Sequence, residues 1–473
     1  MKNATGAILC ADIGTSSLKA ALIDFEGHLH AFAREAYPAE RVASGNTRAL
    51  DWEQAFALAV LALRKEAEKQ ALEIQAICIS GNGPGFVPVG EDDRAFEVLH
   101  WHDGKKSPAR NQNSKDLPSL FLPHAAWLLQ EREKDYQKTK HLFSSQEWLS
   151  WRLGAEPITI LPSPAYEQFY WDEAQLKAYE LDATKFPRFV EPGVQIGRVS
   201  EAAAENFKLE KGIPIVSGGP DFITALIGVG AIESGIVCDR AGTSEGINVC
   251  ADKPSTRSDL RTLPHVIDTL WNVSAMLPTT GRLFEWFRTI TGQTDRDYRQ
   301  MLEEIVGASP RSFVRAEQGG FFFPDLRKRG SLSISSAFFS TAGLTTRPEL
   351  GRAVVEAIGF MVRSAVDKLE NAGYPIAEMR LSGGQAKNEL WNHLKANMVG
   401  RRLIVPEIED GELAGNACLS LCALGQAANL EQAVARIVRM ERSYEPDQAE
   451  HSYHSERYAS YEGMLSKIDH LFI

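Results

Sequence analysis

Ile8-Leu9-Cys10-Ala11-Asp12-Ile13-Gly14-Thr15-Ser16-Ser17-Leu18-Lys19 decides how this chain is read. An apolar run ends in an acidic residue, then a tight polar turn with one glycine. A second β-like run, Ala20-Ala21-Leu22-Ile23-Asp24, follows at once, and Phe25-Glu26-Gly27-His28 reads as the next turn. That order predicts a hairpin, not strand, turn and helix. Gly14, Thr15 and Ser16 at its tip offer N–H and O–H donors to a phosphate. Asp12 is placed to hold a hydrated divalent cation beside that phosphate. An ordinary hairpin with a glycine turn has the same local pattern, so this motif alone decides little.

The signal recurs. Val237-Cys238-Asp239-Arg240-Ala241-Gly242-Thr243-Ser244-Glu245-Gly246-Ile247-Asn248-Val249 is again strand, Gly-Thr-Ser turn, strand. Two phosphate-hairpin candidates suggest a duplicated architecture with a nucleotide between the halves. The pattern resembles the actin-like (ribonuclease H-like) α/β superfold, with two domains of mixed sheet flanked by helices and a cleft between them. A P-loop kinase is disfavoured, because no G-x-x-x-x-G-K-[ST] occurs and no G-x-G-x-x-G stands between a strand and a helix.

Bulk properties fit a cytoplasmic two-domain enzyme. The 473 residues suffice for two large domains, and 44% hydrophobic with 24% charged residues fills a core and keeps a soluble surface. The net charge of −11 and the absence of a long basic block argue against nucleic acid, since Lys105-Lys106 and Arg327-Lys328-Arg329 are short. Cys10, Cys78, Cys238, Cys250, Cys418 and Cys422 are scattered without a zinc-type pairing and read as reduced structural thiols. The start of the chain shows no signal-peptide pattern, and no apolar run reaches the ~18–20 residues a membrane helix needs.

Along the chain, Asp51 reads as the N-cap of a helix with apolar spacing through Leu63. Ile74–Gly81 is a buried strand ending in Gly81-Asn82-Gly83-Pro84-Gly85, and Phe86–Val89 and Val98–Trp101 look like further strands. Residues 107–164 look like a helical insertion covering one side of a cleft. Pro214–Asp221 is a buried strand ending in a Gly-Gly-Pro turn before a helix, so the expected domains are 1–230 and 231–473. A long helix is predicted over about 348–371, strand then turn at Arg380–Gln385, helix at Asn388–Met398, strand at Leu403–Pro406, helix at about 413–424, and a terminal helix within 444–472.

Four ordered segments now make a resemblance specific: Asp12-Ile-Gly-Thr-Ser, Trp101-His-Asp103, Gly218-Gly-Pro-Asp221 with Ala241-Gly-Thr-Ser244, and Ser382-Gly-Gly-Gln-Ala-Lys-Asn388-Glu-Leu-Trp391. Phe321-Phe-Phe-Pro324 and Gly343-Leu-Thr-Thr-Arg-Pro348 add to it. Across essentially its whole length the chain resembles the FGGY family of carbohydrate kinases, nearest the xylulose kinase branch. The resemblance implies transfer of the γ-phosphate of ATP, with Mg²⁺, to a sugar or polyol hydroxyl, most simply a ketopentose such as xylulose. Asp221 would be the general base, since a carboxylate on a Gly-rich turn can reach an acceptor hydroxyl; it would also touch the sugar. A helix N-cap is the plain alternative for it.

The same resemblance assigns Asp12 to the metal and Gly14, Thr15, Ser16 and Lys19 to the phosphates. Gly242, Thr243 and Ser244 would meet them from the other domain. Gly281 would lie near the nucleotide, Gly383 and Gly384 would allow close approach of the nucleoside, and Asn388 would hydrogen-bond adenine. Asp103, Asn82 and Trp101 would bind the sugar, although strand tryptophans are most often core; His102 reads as structural. The expected partners are a small-molecule sugar and ATP, with no nucleic acid or membrane and a homodimer left open. Domain closure is expected, with a cleft lined by Asp12, Asp103, Asp221, Gly242 and Gly384 and a hinge near Gly228, Gly230 and Gly235.

One departure matters. Xylulose kinases usually place Met-His-Gly after the Ser-Gly turn, whereas Pro84 stands here where the His would be, with no side-chain donor or acceptor. A sugar hydrogen bond is then missing or comes from elsewhere, Asn82 being the candidate. Kinases of ribulose, erythritol or glycerol stay open as alternatives. So does a non-catalytic sugar-sensing homologue, which would require loss of Asp12 or Asp221, and both are present. An actin-like or chaperone-type ATPase, indifferent to sugar, is the remaining class.

Overall fold

The computed structural model describes residues 5–109, 119–242, 245–277, 279–307, 320–324, 336–340 and 346–471. The chain forms two compact units. The first is Met1–Ile232 with Leu263–Leu270 and Asp410–Arg439; the second is Glu233–Thr262, Trp271–Glu409 and Met440–Ile473. The chain returns to the first unit at Leu263–Leu270 and again at Asp410–Arg439.

The first unit is built on a six-stranded sheet in the order Leu29–Ala36, Ser17–Asp24, Thr5–Ile13, Leu72–Gly81, Pro214–Pro220, Gln195–Arg198. The expected hairpin is there. Thr5–Ile13 pairs antiparallel with Ser17–Asp24, with Asp12 opposite Lys19, and Gly14 N donates to Ser17 O at 3.1 Å across the turn. Thr5–Ile13, Leu72–Gly81 and Pro214–Pro220 run parallel. Ala7 through Ala11 are fully buried, which is why this strand reads as a continuous apolar run rather than an alternating one. Leu9, Ile79, Phe56 and Trp148 belong to the unit's core.

Two local expectations are corrected. The helix begins at Ala49, with Arg48 as N-cap and Asp51 at its third position, its carboxylate accepting from Arg48 N at 2.8 Å. The carboxylate thus serves the helix start from inside it, as the acidic half of a capping box. Val98–Trp101 is not a strand. Leu99 makes an isolated bridge to Phe86, and Trp101 lies on a turn.

Helix Asp221–Gly228 packs against helix Gly411–Ala423 through glycines. A Cβ on Gly228 would lie 1.8 Å from Gly411 O, and one on Gly415 would lie 2.0 Å from Thr224 O. Gly228, expected to serve a hinge, is thus occupied by packing. Gly230 and Gly235 do adopt left-handed backbone, at φ +70° and +87°.

The second unit repeats the sheet. Its strand order is Arg261–Pro264, Trp271–Leu277, Glu245–Ala251, Ile236–Ala241, Glu378–Ser382, Leu403–Pro406, Met440–Tyr444. Ile236–Ala241 and Glu245–Ala251 form the second hairpin. As Asp12 lies beside Ser80 in one parallel pair, Arg240 lies beside Ser382 in the other. Helix Arg347–Asn371 starts on a capping box, with Thr346 N donating to Glu349 at 2.9 Å. Strand Gly320–Phe323 pairs with Ala337–Ser340 and joins a core with Phe360 and Tyr461. The terminal helix runs Gln448–Leu471, with Tyr444 ending a strand before it. Thr243, Ser244, Arg327-Lys328-Arg329 and Gly343–Thr345 lie outside the described residues. No described helix is long and apolar enough to cross a membrane. All six cysteines are free thiols.

The glycine packing gives a paired test. Gly415→Ala should destabilise the protein by about 1–3 kcal/mol or more, because a methyl cannot enter the helix contact. Gly463→Ala, at an exposed position of helix Gln448–Leu471 with nothing within 4 Å, should instead gain up to about 1 kcal/mol from helix propensity. Thermal or denaturant melts of both variants compare them; equal stability would refute the packing argument.

Candidate active site

The carboxyl ends of the first unit's parallel strands bring the catalytic candidates together. Asp12 lies beside Ser80, and Ser80 beside Gly219. Asp221 follows two residues later as the first residue of its helix, with Pro220 as the N-cap. It is half-buried, and its carbonyl accepts from Thr224 Oγ1 at 3.1 Å. Crevices at strand ends are where open α/β sheets bind ligands.

Asp12 is only 2% exposed, and its Oδ1 accepts from Ser80 Oγ at 2.8 Å. Burial pushes its carboxyl up to about 7. The charges of Glu412 and Asp221 add to the rise, and Lys19 and the Ser80 hydroxyl oppose it. Lys19, expected at the phosphates, has Nζ 2.7 Å from Asp410 Oδ1 and 4.0 Å from Glu412 Oε2. Burial opposes its charge, but Glu412, Asp410 and Asp12 hold the ammonium above the ordinary lysine value. It is a neutralising cation set among acids. Thr15 and Ser16 are exposed at the hairpin tip beside half-buried Gly14.

The sequence reading missed Asp410, Glu412 and Asn416. All three are buried around helix Gly411–Ala423. The one local signal was Asp410-Gly-Glu412, an acidic pair at a helix start; nothing in it points to a strand four hundred residues earlier.

Beside these strand ends lies a shallow recess open to solvent. Asn82, Gly83, Phe86, His100, Trp101 and Ser145 are among its lining residues. The expected acceptor residues Asn82 and Trp101 therefore share one wall. Asn82 N donates to Ile13 O at 2.9 Å, tying this loop to the Asp12 strand. Trp101 is 43% exposed, so its ring is not core. Its indole stands edge-on to His102, with centroids 5.2 Å apart.

Asp103 organises this loop. Its Oδ2 accepts from His100 N at 3.0 Å, its Oδ1 from Lys105 N at 2.9 Å, and Lys105 Nζ lies 3.4 Å away. Each carboxylate oxygen has a second lone pair, so a sugar hydroxyl can still donate to it. His100 Nε2 donates to Thr47 O at 2.7 Å, and burial holds that ring below the usual histidine range.

In the second unit Gly383 has φ +94°, and a Cβ there would come within 2.6 Å of Ala241 O. Only glycine suits that turn. Gly384 is exposed with open space beside it. Asn388 Oδ1 accepts from Trp391 N at 3.1 Å as the N-cap of helix Glu389–Val399, which leaves its amide NH₂ as the donor for a ligand. Gln385 Nε2 donates to Gly242 O at 3.1 Å, joining the glycine turn to the second hairpin. Gly281 lies in the first turn of helix Thr280–Ile290. The sequence reading also missed Lys395, which is buried and ion-paired to both Asp239 and Glu245 beneath that hairpin.

Among the described residues no three ligating side chains converge as a metal site. A cation at Asp12 must therefore complete its shell with water and phosphate oxygens. Magnesium is commonly held this way, by one or two carboxylates. The negative surroundings of Asp12 are what such an ion would relieve, so the residues fit it.

Comparison with known proteins identifies the family. The FGGY family of carbohydrate kinases matches by its N-terminal domain over residues 7–228 and by its C-terminal domain over 240–424. A xylulose kinase of Staphylococcus epidermidis is 21% identical over 492 residues, spanning 98% of this chain and 97% of that protein. An autoinducer-2 kinase of Enterobacter sp. is 23% identical, spanning 97% and 93%. The crystal structure of gluconate kinase from Lactobacillus acidophilus superposes with a TM-score of 0.80 at 18% identity, covering 99% of each chain. The fold is the actin-like one of these enzymes, and the chain belongs to the FGGY family of carbohydrate kinases.

Proposed function

We propose that this kinase transfers the γ-phosphoryl group of ATP to a hydroxyl of a ketopentose such as xylulose, with Asp221 as general base. The observation that carries this reading is the set of Asp12, Ser80 and Asp221 at the ends of adjacent parallel strands. A recess lined by Asn82 and Trp101 stands on the same unit. Asp221 takes the proton of the acceptor hydroxyl as its oxygen bonds to the γ-phosphorus and the bond to the leaving ADP oxygen breaks. The protein's share is positioning and electrostatics. Gly14, Thr15 and Ser16 offer donors to the phosphates, Asp12 holds the hydrated cation, and Gly384 and Asn388 receive the nucleoside. Bound magnesium supplies charge neutralisation at the transferring phosphate. In the acceptor recess Trp101 packs on the carbon face of the sugar and Asn82 takes a hydroxyl, with Asp103 meeting the sugar from the adjoining loop.

A second acceptor class has one observation in its favour. Pro84, at the Gly83–Pro84 turn beside the recess, offers no hydrogen-bonding side chain, so ketoses and polyols needing one contact fewer also suit the site. ADP release measured across D-xylulose, L-xylulose, ribuloses, erythritol and glycerol separates them, and ADP release indifferent to every sugar would overturn the kinase reading.

Asp221→Asn should keep acceptor and ATP binding but lower kcat by at least ~10²-fold, the size of a lost general base. Near wild-type turnover would remove Asp221 from that role.

Asp12 sets stability against function. A carboxyl raised from the ordinary aspartate value of 3.8 to about 7 keeps its proton in the folded chain where the unfolded chain has lost it. Its contribution to stability therefore falls as pH rises from about 4 through about 7, by up to ~1.4 kcal/mol per pKa unit. Asp12→Asn should melt like the wild type near pH 4, melt higher at pH 8, and use Mg-ATP poorly with acceptor binding retained. A melting difference that does not grow with pH would show that Asp12 is not buried against its charge.

A further inference from the structure

Asn416 is completely buried on helix Gly411–Ala423, yet its side-chain hydrogen bonds go to the strands beneath Asp12. Its Nδ2 donates to Ala11 O at 2.8 Å and to Ser80 Oγ at 3.0 Å, and its Oδ1 accepts from Cys78 Sγ at 3.5 Å. A carbonyl can only accept, so Ala11 O fixes which way the amide faces. Both amide hydrogens are then committed, one to the carbonyl and one to the serine.

Ser80 is also completely buried. Its hydroxyl has one hydrogen and two possible acceptors, Asp12 Oδ1 at 2.8 Å and Ala11 O at 3.4 Å. Asn416 already satisfies Ala11 O and occupies a lone pair of Ser80 Oγ, which turns the serine hydrogen to Asp12. Without Asn416, the buried Ala11 carbonyl would keep only its ladder donor, the Ser80 N–H, and its second lone pair would be open to the nearest hydroxyl. That hydroxyl is Ser80's, and Asp12 would lose its anchor.

We propose that Asn416 is a positioning residue for phosphoryl transfer: through Ser80 it fixes the conformer in which Asp12 meets the hydrated cation of the nucleotide. The proposal rests on the reading of Asp12 given under the proposed function. It adds a residue that touches neither substrate, on a helix that the chain contributes only after leaving the second unit. Groups in this outer position orient a ligating carboxylate, and losing them typically weakens metal binding.

The test uses Mn²⁺ as the probe, titrated into the full chain saturated with ADP and followed by electron paramagnetic resonance. Ser80→Ala and Asn416→Leu should each weaken Mn²⁺ binding by roughly tenfold, the usual scale for such groups, with acceptor KM unchanged within about twofold. Asp12→Asn is the reference. If Asp12→Asn binds Mn²⁺ like the wild type, the reading of Asp12 fails. If Asp12→Asn loses Mn²⁺ while Ser80→Ala and Asn416→Leu keep it, the relay is overturned. Equal losses of Mn²⁺ and acceptor affinity in those two variants would mark a merely structural role and overturn it as well. If Asn416→Leu does not fold, Ser80→Ala, which removes one small hydroxyl, decides by the same outcomes.

Discussion

The first unit depends on a carboxylate kept where water cannot solvate it. Asp12 ends a strand buried on both faces, and a lone charge there would be costly. The surrounding sequence meets that constraint in three ways. Ser80, beside it in the ladder, donates a hydrogen bond. Lys19, opposite it in the hairpin, brings a positive charge. Asp410 and Glu412 then hold Lys19, at the expense of adding negative charge near Asp12. The arrangement leaves Asp12, Asp410 and Glu412 sharing the charge of Lys19. In the proposed role of Asp12, a divalent cation with its phosphates would meet that excess of negative charge.

The same scaffold is used twice with the charge reversed. Ala11-Asp12-Ile13-Gly14-Thr15-Ser16 aligns with Asp239-Arg240-Ala241-Gly242-Thr243-Ser244, so Arg240 stands where Asp12 does. Ser80-Gly81 is matched by Ser382-Gly383 in the neighbouring strand. What the duplication preserves is backbone: antiparallel hairpin, parallel partner, glycine at the strand end. The side chains have divided the work. The buried charges of the second unit, Lys395 with Asp239 and Glu245, clamp a helix under the second hairpin, which is a structural use of the kind of charge cluster that the first unit sets beside its candidate chemistry.

Local patterns made much of this legible. Both hairpins, the strand before Asp221 and the long helix before Asn371 announce themselves through continuous apolar runs, turn glycines or helical spacing. Resemblance in four ordered segments then gave the family. Two kinds of feature escaped. Cap positions slipped by a few residues, as at Asp51, because an acidic residue serves a helix start equally well from inside the first turn. Val98–Trp101 reads as a strand because it is apolar, but it has only a bridge to Phe86 and places Trp101 in solvent. The larger gap is long-range. The surroundings of Asp12 come from helix Gly411–Ala423, and no periodicity within that helix tells which strand its Asn416 will serve.

The acceptor side follows a different logic from the strand ends. Asp12, Ser80 and the residues leading to Asp221 sit on sheet backbone with fixed neighbours, so their positions are rigid. Asn82, Trp101 and Asp103 sit on loops, and Asp103 binds two backbone N–H groups of its own loop. A carboxylate used this way sets the shape of the recess whether or not it also touches the sugar. Sequence change in such loops alters which hydroxyls find partners and leaves the reacting groups where they are. On the proposed reading, this chain's choice of acceptor is to be sought in the Asn82–Gly85 loop, with Pro84 in it.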